Sequence, residues 1–520
     1  MAAAHAVTAG RPAAPPAAMQ GGALWLAAFL LAIGNFMVVL DMTIANVSVP
    51  TIAGGLAVAP NEGTWVITSY SVAEAIMVPL TGWLAARFGA LRVFVAGMVG
   101  FGVCSALCGL APSLGFLILF RVMQGLCGGP IMPMSQTLMM RVFPPAQRGQ
   151  AMGLWSMTTV VAPIVGPILG GWLCDNAGWP WVFYINVPIA FVCGFFAWRA
   201  LARHETPTEP RRVDFVGLAL LITFVGALQI MLDKGKELDW FGSPIIVALA
   251  IVAAVGFVAF LIWELTDDQP IVDLRVFRHR GFTGAVATIA ITFGAFFASI
   301  VIVPLWLQTN MGYTATWAGL ATAPAGVMAV ILSPIVPKLM QRFDARALVS
   351  FGVGGLGLVA LWRTGFASNA AFSTVALTFV AQGIAMPFFF VPTTQIALTS
   401  VRPEETASAA GLSNFLRTIS AAVCAALATT WWDDAGARNH STIAGSLNDT
   451  TGFTQTLTHA GLTPAQALAQ LEGLTQSQAV MLATDQMFWI MTAAFLVAAC
   501  VVWLAPKPRI FAGAPSGGGH

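Results

Sequence analysis

Four ionisable side chains lie inside otherwise apolar stretches, and they are the first candidates for chemistry. Asp41 ends the run ALWLAAFLLAIGNFMVVLD, Glu74 lies in SVAEAIMVPL, Arg121 in FLILFRVMQG and Arg417 in LSNFLRTIS. An ionised side chain within a membrane helix costs roughly 2.5–3.5 kcal/mol on insertion scales, so it normally faces a polar cavity and has a function. A carboxyl group there can gain and lose a proton, and a nearby guanidinium favours its charged form. The pattern therefore indicates proton chemistry inside a membrane.

Each of these residues also has a structural alternative. Asp41 could cap a turn with Thr43 and Asn46, and Arg121 could extend along the helix toward the membrane surface. Glu74 could widen a proton pathway, hold a cationic compound, or pair with a neighbouring polar group. The residue types alone leave these alternatives open.

Composition places the whole chain in a membrane. Of its 520 residues, 58% are hydrophobic and 9% are charged, and the mean hydropathy is +0.80. Soluble domains carry about 25% charged residues, so this is a polytopic membrane protein. The net charge of +2 gives no indication of nucleic-acid binding. Cys104 and Cys108 lie one helical turn apart without further metal-binding residues, which predicts packing and no metal site.

Apolar windows of about twenty residues predict fourteen transmembrane helices. The first begins after an Ala/Pro/Gly-rich tail that lacks the features of a signal peptide, so we expect it to be retained. The predicted spans are 24–48, 64–86, 92–111, 114–139, 150–173, 181–201, 214–232, 243–264, 283–307, 317–340, 347–366, 371–399, 406–431 and 486–505. The segment 432–485 is polar and is predicted to be a long loop with short surface helices.

Basic residues predict the orientation. With a cytoplasmic N-terminus, only Lys234, Lys236, Arg363 and Arg438 of the 24 Lys and Arg residues fall in outside segments, while Arg121 and Arg417 fall within spans. The rest fall on the inside, which satisfies the positive-inside rule. We therefore expect both termini in the cytoplasm.

An internal repeat divides the chain. QGLCGGPIMPMSQTLMMRVFPPAQRGQAMGLWS from Gln124 returns as QGIAMPFFFVPTTQIALTSVRPEETASAAGLSN from Gln382, so span four corresponds to span twelve. Arg121 has no counterpart in this register, where Phe379 or Val380 falls, and such broken symmetry favours a function. Parallel repeats around a central site are typical of major-facilitator transporters. The predicted fold is all-α, with segments 1–22 (cytoplasmic tail), 23–203 (six-helix half), 204–280 (two extra spans), 281–505 (second half, including loop 432–485) and 506–520 (tail).

Four motifs carry a specific resemblance. LDMTIANVSVP (40–50) resembles the first-span signature of the fourteen-span drug:proton antiporters of the major facilitator superfamily. GWLAARFGALR (82–92) is similar to the superfamily's loop between spans two and three. RVMQGLCGG (121–129) resembles its fourth-span arginine motif, and APIVGPILGG (162–171) its fifth-span antiporter motif. Because the likeness covers nearly the whole chain, the protein is identified as a member of this family.

The resemblance implies roles for these residues. Asp41 and Arg121 would take part in proton coupling, and Glu74 could share that role. The antiporter motif, linked to exchange and to sealing of the cavity, would comprise Gly166, Pro167, Gly170 and Gly171. The inner loop would act through Gly82, Arg87, Gly89 and Arg92, although Ala86 stands where relatives often carry the aspartate of a latch.

Further residues are candidates for a substrate cavity. Arg417 could attract anionic drugs there, balance the charge of Asp41, or pair with Asn414 or backbone carbonyls. Aromatic, methionine and amide side chains adapt to varied ligands, although packing against lipid is a common alternative. The other candidates are Asn46, Gln124, Met132, Phe293, Phe296, Phe297 and Asn414.

The family resemblance also implies the biological setting. It predicts efflux of hydrophobic drugs and weak acids across the bacterial inner membrane, driven by the proton gradient without a cofactor. It implies a periplasmic membrane-fusion adaptor and an outer-membrane channel as partners, with loop 432–485 docking the adaptor or covering the cavity. The alternatives are a dedicated exporter of one metabolite or fatty acid and, in a different class, a membrane enzyme or receptor. No phosphate-binding, zinc-binding or serine-nucleophile motif supports an enzyme.

Overall fold

The computed structural model describes residue 19 and residues 21–210, 212–447 and 450–506. Within these ranges the chain is helical and contains no strand. Four of the basic residues that were predicted to lie on the inside, Arg11, Arg211, Lys507 and Arg509, are outside the described residues. The other predictions for the two terminal tails are outside them as well.

Ten helices form the first group, which we call the N-terminal half. They are α1 (Gly21–Gly55), α2 (Pro60–Gly63), α3 (Trp65–Met77), α4 (Thr81–Phe88), α5 (Ala90–Gly109), α6 (Leu114–Gly128), α7 (Ile131–Val142), α8 (Arg148–Asn176), α9 (Trp181–Tyr184) and α10 (Asn186–Leu201). The main packing partners within this half are α1 with α8, α3 with α6, and α5 with α10.

Two helices follow and then a second group, which we call the C-terminal half. The two are α11 (Phe215–Lys234) and α12 (Pro244–Thr266), which pack on each other. The C-terminal half comprises α13 (Arg280–Thr309), α14 (Ala315–Thr322), α15 (Pro324–Leu332), α16 (Val336–Leu339), α17 (Ala345–Arg363), α18 (Phe372–Thr399), α19 (Thr406–Ser446), α20 (Thr450–His459) and α21 (Pro464–Val501). Short 3-10 turns lie at Pro145–Gln147, Ala202–His204, Trp240–Gly242, Leu274–Arg278, Pro403–Glu405 and Val502–Leu504.

Helix continuity determines how many spans can be recognised. Eleven helices of the described chain are long and apolar enough to cross a membrane, or twelve if the segments Pro145–Pro163 and Val165–Asn176, which are bent by 42° relative to each other and include α8, count as one span. The predicted spans 64–86 and 317–340 are instead series of shorter helices. In the second series Pro324 is the first residue of α15 and Pro337 the second residue of α16, because proline cannot donate the backbone hydrogen bond of a helix interior and fits in a first turn. The exact number of fourteen crossings stays a prediction.

The prediction that 432–485 is a long loop with short surface helices is wrong, because long helices cover most of its described residues. α19 continues without a break to Ser446, and α21 already begins at Pro464. At that start the Thr463 hydroxyl accepts from the Gln466 amide, and the Gln466 side chain accepts from the Thr463 amide at 2.9 Å, which is a capping box. Trp432 Nε1 donates to Thr484 Oγ1 at 2.9 Å, so the two long helices stay paired. We call the described part of this segment, residues 432–447 and 450–485, the helical hairpin.

The loop between α11 and α12 contacts both halves. Lys234 Nζ donates to Thr64 Oγ1 of the N-terminal half at 2.7 Å. Two residues later, Lys236 forms an ion pair with Asp433 on α19. Trp240 Nε1 donates to Thr430 Oγ1, also on α19, at 2.9 Å. This end of the bundle, which we call the α11–α12 end, is thus linked across the two halves.

Candidate functional site

A buried ion pair lies inside the N-terminal half. Arg121 Nη1 on α6 donates to Asp41 Oδ2 on α1 at 2.6 Å, and the two side chains are 1% and 0% exposed. The other carboxylate oxygen accepts from Asn186 Nδ2 at 2.7 Å and from Gln124 Nε2 at 3.2 Å. Burying two charges is costly, and such a pair is stable only when geometry and extra hydrogen bonds compensate. Here both carboxylate oxygens accept hydrogen bonds.

Neighbouring groups surround Asp41 and Arg121, and we call the whole set the ion-pair cluster. Arg121 Nε donates to the Val66 carbonyl at 3.0 Å, and the guanidinium carbon lies 4.3 Å from the centroid of the Tyr70 ring. Ser105 Oγ on α5 accepts from Gln124 and Asn186 at 3.2 and 3.3 Å and donates to the Phe183 carbonyl at 2.8 Å. Side chains from α1, α5, α6 and α10 therefore meet at one point.

The cluster answers two alternatives that the sequence left open. Asp41 does not cap a turn with Thr43, whose hydroxyl donates to the Val39 and Leu40 carbonyls at 3.0 Å. Asn46 is exposed, since five residues after Asp41 it points about 140° away around the helix. Arg121 does not extend to a membrane surface, because it is fully buried against Asp41.

Part of the ion-pair cluster was not predicted from the sequence. Gln124, expected in the cavity, instead contacts Asp41, because a residue three positions after Arg121 shares its helix face. Ser105 and Asn186 were not predicted. Neither is charged, and no local motif relates them to Asp41. The only available signal was that each is a polar residue within an apolar stretch.

A recess lies at the seam between the two halves, and we call it the central recess. It is lined by Gln136, Ile289, Phe389, Phe390, Thr393, Thr394, Ser413, Asn414 and Arg417. Gln136 on α7 belongs to the N-terminal half and accepts from Asn414 Nδ2 on α19 at 2.7 Å. The recess is therefore polar on one side, aromatic on the other, and bridged by a hydrogen bond between the halves.

Arg417 supplies the positive charge of the central recess. It is buried, contacts the sulfur of Met132, and lies 5.5 Å from the Trp155 ring centroid and 5.3 Å from that of Phe293. The predicted pairing with Asn414 is not among its described hydrogen bonds, and Asn414 donates to Gln136 instead. Met132 and Trp155 belong to the N-terminal half, so Arg417 reaches across the seam.

Aromatic side chains form one wall beside Arg417. The Phe293 ring stacks on Phe297 with centroids 5.4 Å apart and meets Phe296 at 6.0 Å and Phe390 at 5.7 Å. The predicted residues Phe293, Phe296 and Phe297 thus lie together next to the recess. Their role as substrate contacts stays a prediction.

Glu74 is buried on α3, and its carboxyl group lies within electrostatic range of Arg417, Asp41 and Arg121. No ion pair joins it to Arg417 within 4.0 Å among the described residues.

The predicted antiporter motif packs directly against the helix that carries Asp41. A Cβ atom on Gly166 of α8 would lie 2.1 Å from Thr43 Oγ1, and one on Gly170 would lie 2.8 Å from the Val47 side chain. Only glycine permits this approach of α8 to α1. Gly171 has open space around it and Pro167 is exposed, so these two residues do not make the contact.

The predicted inner loop lies where the two halves meet at the opposite end from the α11–α12 loop. A Cβ on Gly82 of α4 would lie 2.1 Å from Ser408 Oγ and 2.9 Å from Ser408 Cα on α19. Ala86 lines a cavity beside Arg278, Arg402 and Glu405 of the C-terminal half. The halves are therefore in backbone contact at this end, which we call the α4–α5 end.

Gly89 and a carboxylate missed from sequence complete this loop. Gly89 has φ of +94°, which favours glycine, and a Cβ would lie 2.5 Å from the Glu205 carboxyl carbon. Glu205 accepts from the Leu91 and Arg92 amides at 2.9 and 3.0 Å, so it caps α5. Arg92 is exposed, and the Arg87 guanidinium lies 5.4 Å from the Trp83 ring centroid.

Comparison with known proteins agrees with this architecture. The Major Facilitator Superfamily profile matches residues 31–425. The chain is 44% identical to the multidrug export protein EmrB of Escherichia coli over 507 residues, 96% of this chain and 99% of that one. It is 42% identical to the fatty acid resistance protein FarB of Neisseria gonorrhoeae over 514 residues, 97% and 99% of the two chains.

Solved structures share the fold at low sequence identity. The human organic anion transporter MFSD10 has a TM-score of 0.55 at 14% identity, covering 92% of this chain and 100% of that one. The proton:xylose symporter XylE also has a TM-score of 0.55, at 13% identity, covering 93% and 96%. These similarities confirm the all-α major-facilitator fold.

Membrane-length helices in two halves around a recess at their seam define a membrane transporter and not an enzyme. The chain belongs to the major facilitator superfamily and, within it, to the EmrB-like transporters.

Proposed function

We propose that this protein exchanges protons for hydrophobic toxic compounds across the bacterial inner membrane, with both termini in the cytoplasm. Similarity to the EmrB multidrug export proteins and to EmrY, named as a probable multidrug resistance protein, supports the substrate class. The basic residues of the inside segments support the orientation. The observation that carries the coupling is the fully buried ion pair of Asp41 and Arg121.

Protonation of Asp41 changes the balance of the ion-pair cluster. The neutral acid leaves Arg121 with the Gln124 and Val66 oxygens but without a carboxylate partner among the described residues. A buried guanidinium without its counter-charge is strongly unfavourable. The cluster therefore has to rearrange, or admit another partner, when a proton binds.

Contacts between helices connect the ion-pair cluster to the seam between the two halves. α1 holds Asp41 and packs on α8 through Gly166 and Gly170. α8 in turn contacts α15 and α18 of the C-terminal half. Glu74 lies within electrostatic range of both the ion-pair cluster and Arg417, which gives the central recess a second connection to Asp41.

Proton-driven transport is tested with the purified protein in liposomes under an imposed pH gradient. Several dyes and weak acids are followed in vesicles with an acidic interior. We expect accumulation without ATP that an uncoupler abolishes. Accumulation that persists after the gradient has collapsed contradicts the proposal.

A dedicated exporter of a fatty acid or similar metabolite is the second candidate. The buried cation Arg417 and the similarity to FarB, named as a fatty acid resistance protein, favour it. The panel of compounds separates the two functions, because a dedicated exporter moves one chemical class and a multidrug exporter moves several.

Arg417 should affect anionic compounds selectively. In Arg417→Gln we expect the export rate of an anionic dye to fall roughly tenfold, since a charge-assisted hydrogen bond contributes about 1.5–3 kcal/mol. Export of a cationic dye should change less than about twofold. Arg438→Gln, on the exposed surface of the hairpin, is the matched control. An equal loss for both dyes would indicate a purely structural role.

The helical hairpin is the proposed docking surface for an EmrA-like periplasmic adaptor, which would join a TolC-like outer-membrane channel. The His440–Glu472 contact of 2.8 Å and the Trp432–Thr484 hydrogen bond support a hairpin that keeps its shape beyond the membrane. Its exposed apolar side chains include Phe453, Leu468 and Leu474.

Deleting residues 450–463 and joining α19 to α21 with a short glycine linker tests the docking. We expect the shortened protein to lose co-purification with the adaptor and to keep proton-driven dye transport in liposomes. Unchanged adaptor binding, or a changed transport rate with normal binding, would favour a lid over the recess.

A further inference from the structure

Arg363 is a buried cation without a described carboxylate partner. It is the last residue of α17 and is 2% exposed. The prediction that placed it in an outside segment is therefore wrong. Nε donates to Thr378 Oγ1 and Nη1 donates to Ser299 Oγ, both at 3.0 Å. The guanidinium carbon lies 4.2 Å from the Phe379 ring centroid and 5.9 Å from that of Phe488. Nη2 is buried and has no hydrogen-bond partner among the described residues.

This arrangement is unusual for a buried charge. A guanidinium stays protonated in a protein interior, so its charge has to be balanced. Two neutral hydroxyls and two aromatic faces satisfy part of its hydrogen-bonding capacity but supply no negative charge. Among the described residues, no carboxylate lies within ion-pair distance of Arg363, in contrast to Arg121.

The internal repeat shows what is missing. The offset of 258 residues that relates Gln124 to Gln382 relates Arg121 on α6 to Phe379 on α18. Ser299 lies on α13, the first long helix of the C-terminal half, as Asp41 lies on α1 of the N-terminal half. The Arg363 guanidinium lies over Phe379, the residue at the position of Arg121, but it comes from α17, the helix that corresponds to α5. Each half therefore has a buried arginine among corresponding helices, and among the described residues only Arg121 has a carboxylate partner.

We propose that Arg363 and Ser299 bind a small anionic group, a halide ion or a carboxylate, which supplies the negative charge that Asp41 supplies to Arg121 in the N-terminal half. Nη2 is free to donate, and Ser299 accepts from Nη1 while no described hydrogen bond uses its own proton. Thr378 already donates to the Val375 carbonyl at 2.7 Å, so it orients Arg363 without binding the anion. Phe379 and Phe488 form apolar walls. This site is separate from the central recess and goes beyond the proposed function.

Thermal stability of the purified full-length protein in detergent tests the site. The protein is heated in sodium chloride, sodium benzoate or sodium octanoate, each compared with the bulky anion MES at equal ionic strength. A ligand that binds only the folded protein raises Tm, and we expect a rise of about 3 °C. Protection by chloride identifies an inorganic ion as occupant, whereas protection by the carboxylates alone identifies an organic acid. Absence of any anion-dependent rise in the native protein overturns the proposal.

Three variants locate the effect. Arg363→Gln should lose the anion-dependent rise, and Arg342→Gln, at an exposed position, should keep it. Ser299→Asp places a carboxylate beside the guanidinium and so gives Arg363 a partner of the kind that Asp41 provides for Arg121. This variant should be as stable in MES as the native protein is in the protecting anion, and insensitive to added anions. It keeps the test decisive if Arg363→Gln does not fold. An undiminished anion response in Arg363→Gln or Ser299→Asp overturns the assignment.

Discussion

Asp41→Asn should abolish proton-driven export. The asparagine cannot exchange a proton, so dye accumulation under an imposed pH gradient is expected to fall to the background of protein-free liposomes. The substitution also leaves the Arg121 charge without its partner, and removing one member of a buried pair costs about 3–5 kcal/mol. We therefore expect a lower Tm in detergent alongside the loss of transport.

A second variant separates the two effects. Asp41→Asn combined with Arg121→Gln removes both charges and should recover part of the lost stability while transport stays absent. Asp175→Asn, at an exposed position of α8, is the matched control and should behave as the native protein. Transport by Asp41→Asn that still depends on the pH gradient would contradict the proposed proton site.

Gly82→Ala should block closure at the α4–α5 end. The new methyl group would lie 2.1 Å from Ser408 Oγ and 2.9 Å from its Cα, so α4 and α19 have to separate. We expect transport to fall at least about tenfold, since backbone contacts cannot relax as a flexible side chain does. Spin labels at positions 92 and 404 should report a longer distance between the halves.

The contact itself can be tested by compensation. Ser408→Gly removes the hydroxyl and leaves the weaker conflict with Cα, so it should restore part of the transport of Gly82→Ala. Gly354→Ala, where an added Cβ meets open space, should change neither transport nor the spin-label distance. A full rate in Gly82→Ala would show that this contact is not needed for the cycle.

Sequence alone could identify the charged residues but not their partners. Asp41 and Arg121 are costly in a membrane helix, so their presence already suggested a function. Asn186, which binds the same carboxylate, lies 145 positions from Asp41 and is uncharged, so only the fold relates the two. Arg363 was misplaced because a single arginine at the end of an apolar stretch fits a loop as well as a buried site.

The helical hairpin shows a different limit of prediction from hydropathy. Hydropathy detects membrane helices by their apolar side chains and does not recognise a helix that continues into water. The segment 432–485 is rich in alanine and glutamine, which favour helix, and Thr463 with Gln466 form a helix start. Its composition and this capping pattern could have predicted the extension of α19 and α21.

The segment from Lys234 to Trp240, at the end of α11 and in the loop that follows, joins the two halves at the α11–α12 end. Lys234 is bound to one half, and Lys236 and Trp240 are bound to the other, with only a few residues between them. If the halves separate there, either the contacts of this short segment with one half have to break, or the segment has to move with both halves. The two additional helices, which contribute no side chain to the ion-pair cluster or the central recess, would therefore resist separation of the halves at that end for as long as these contacts hold.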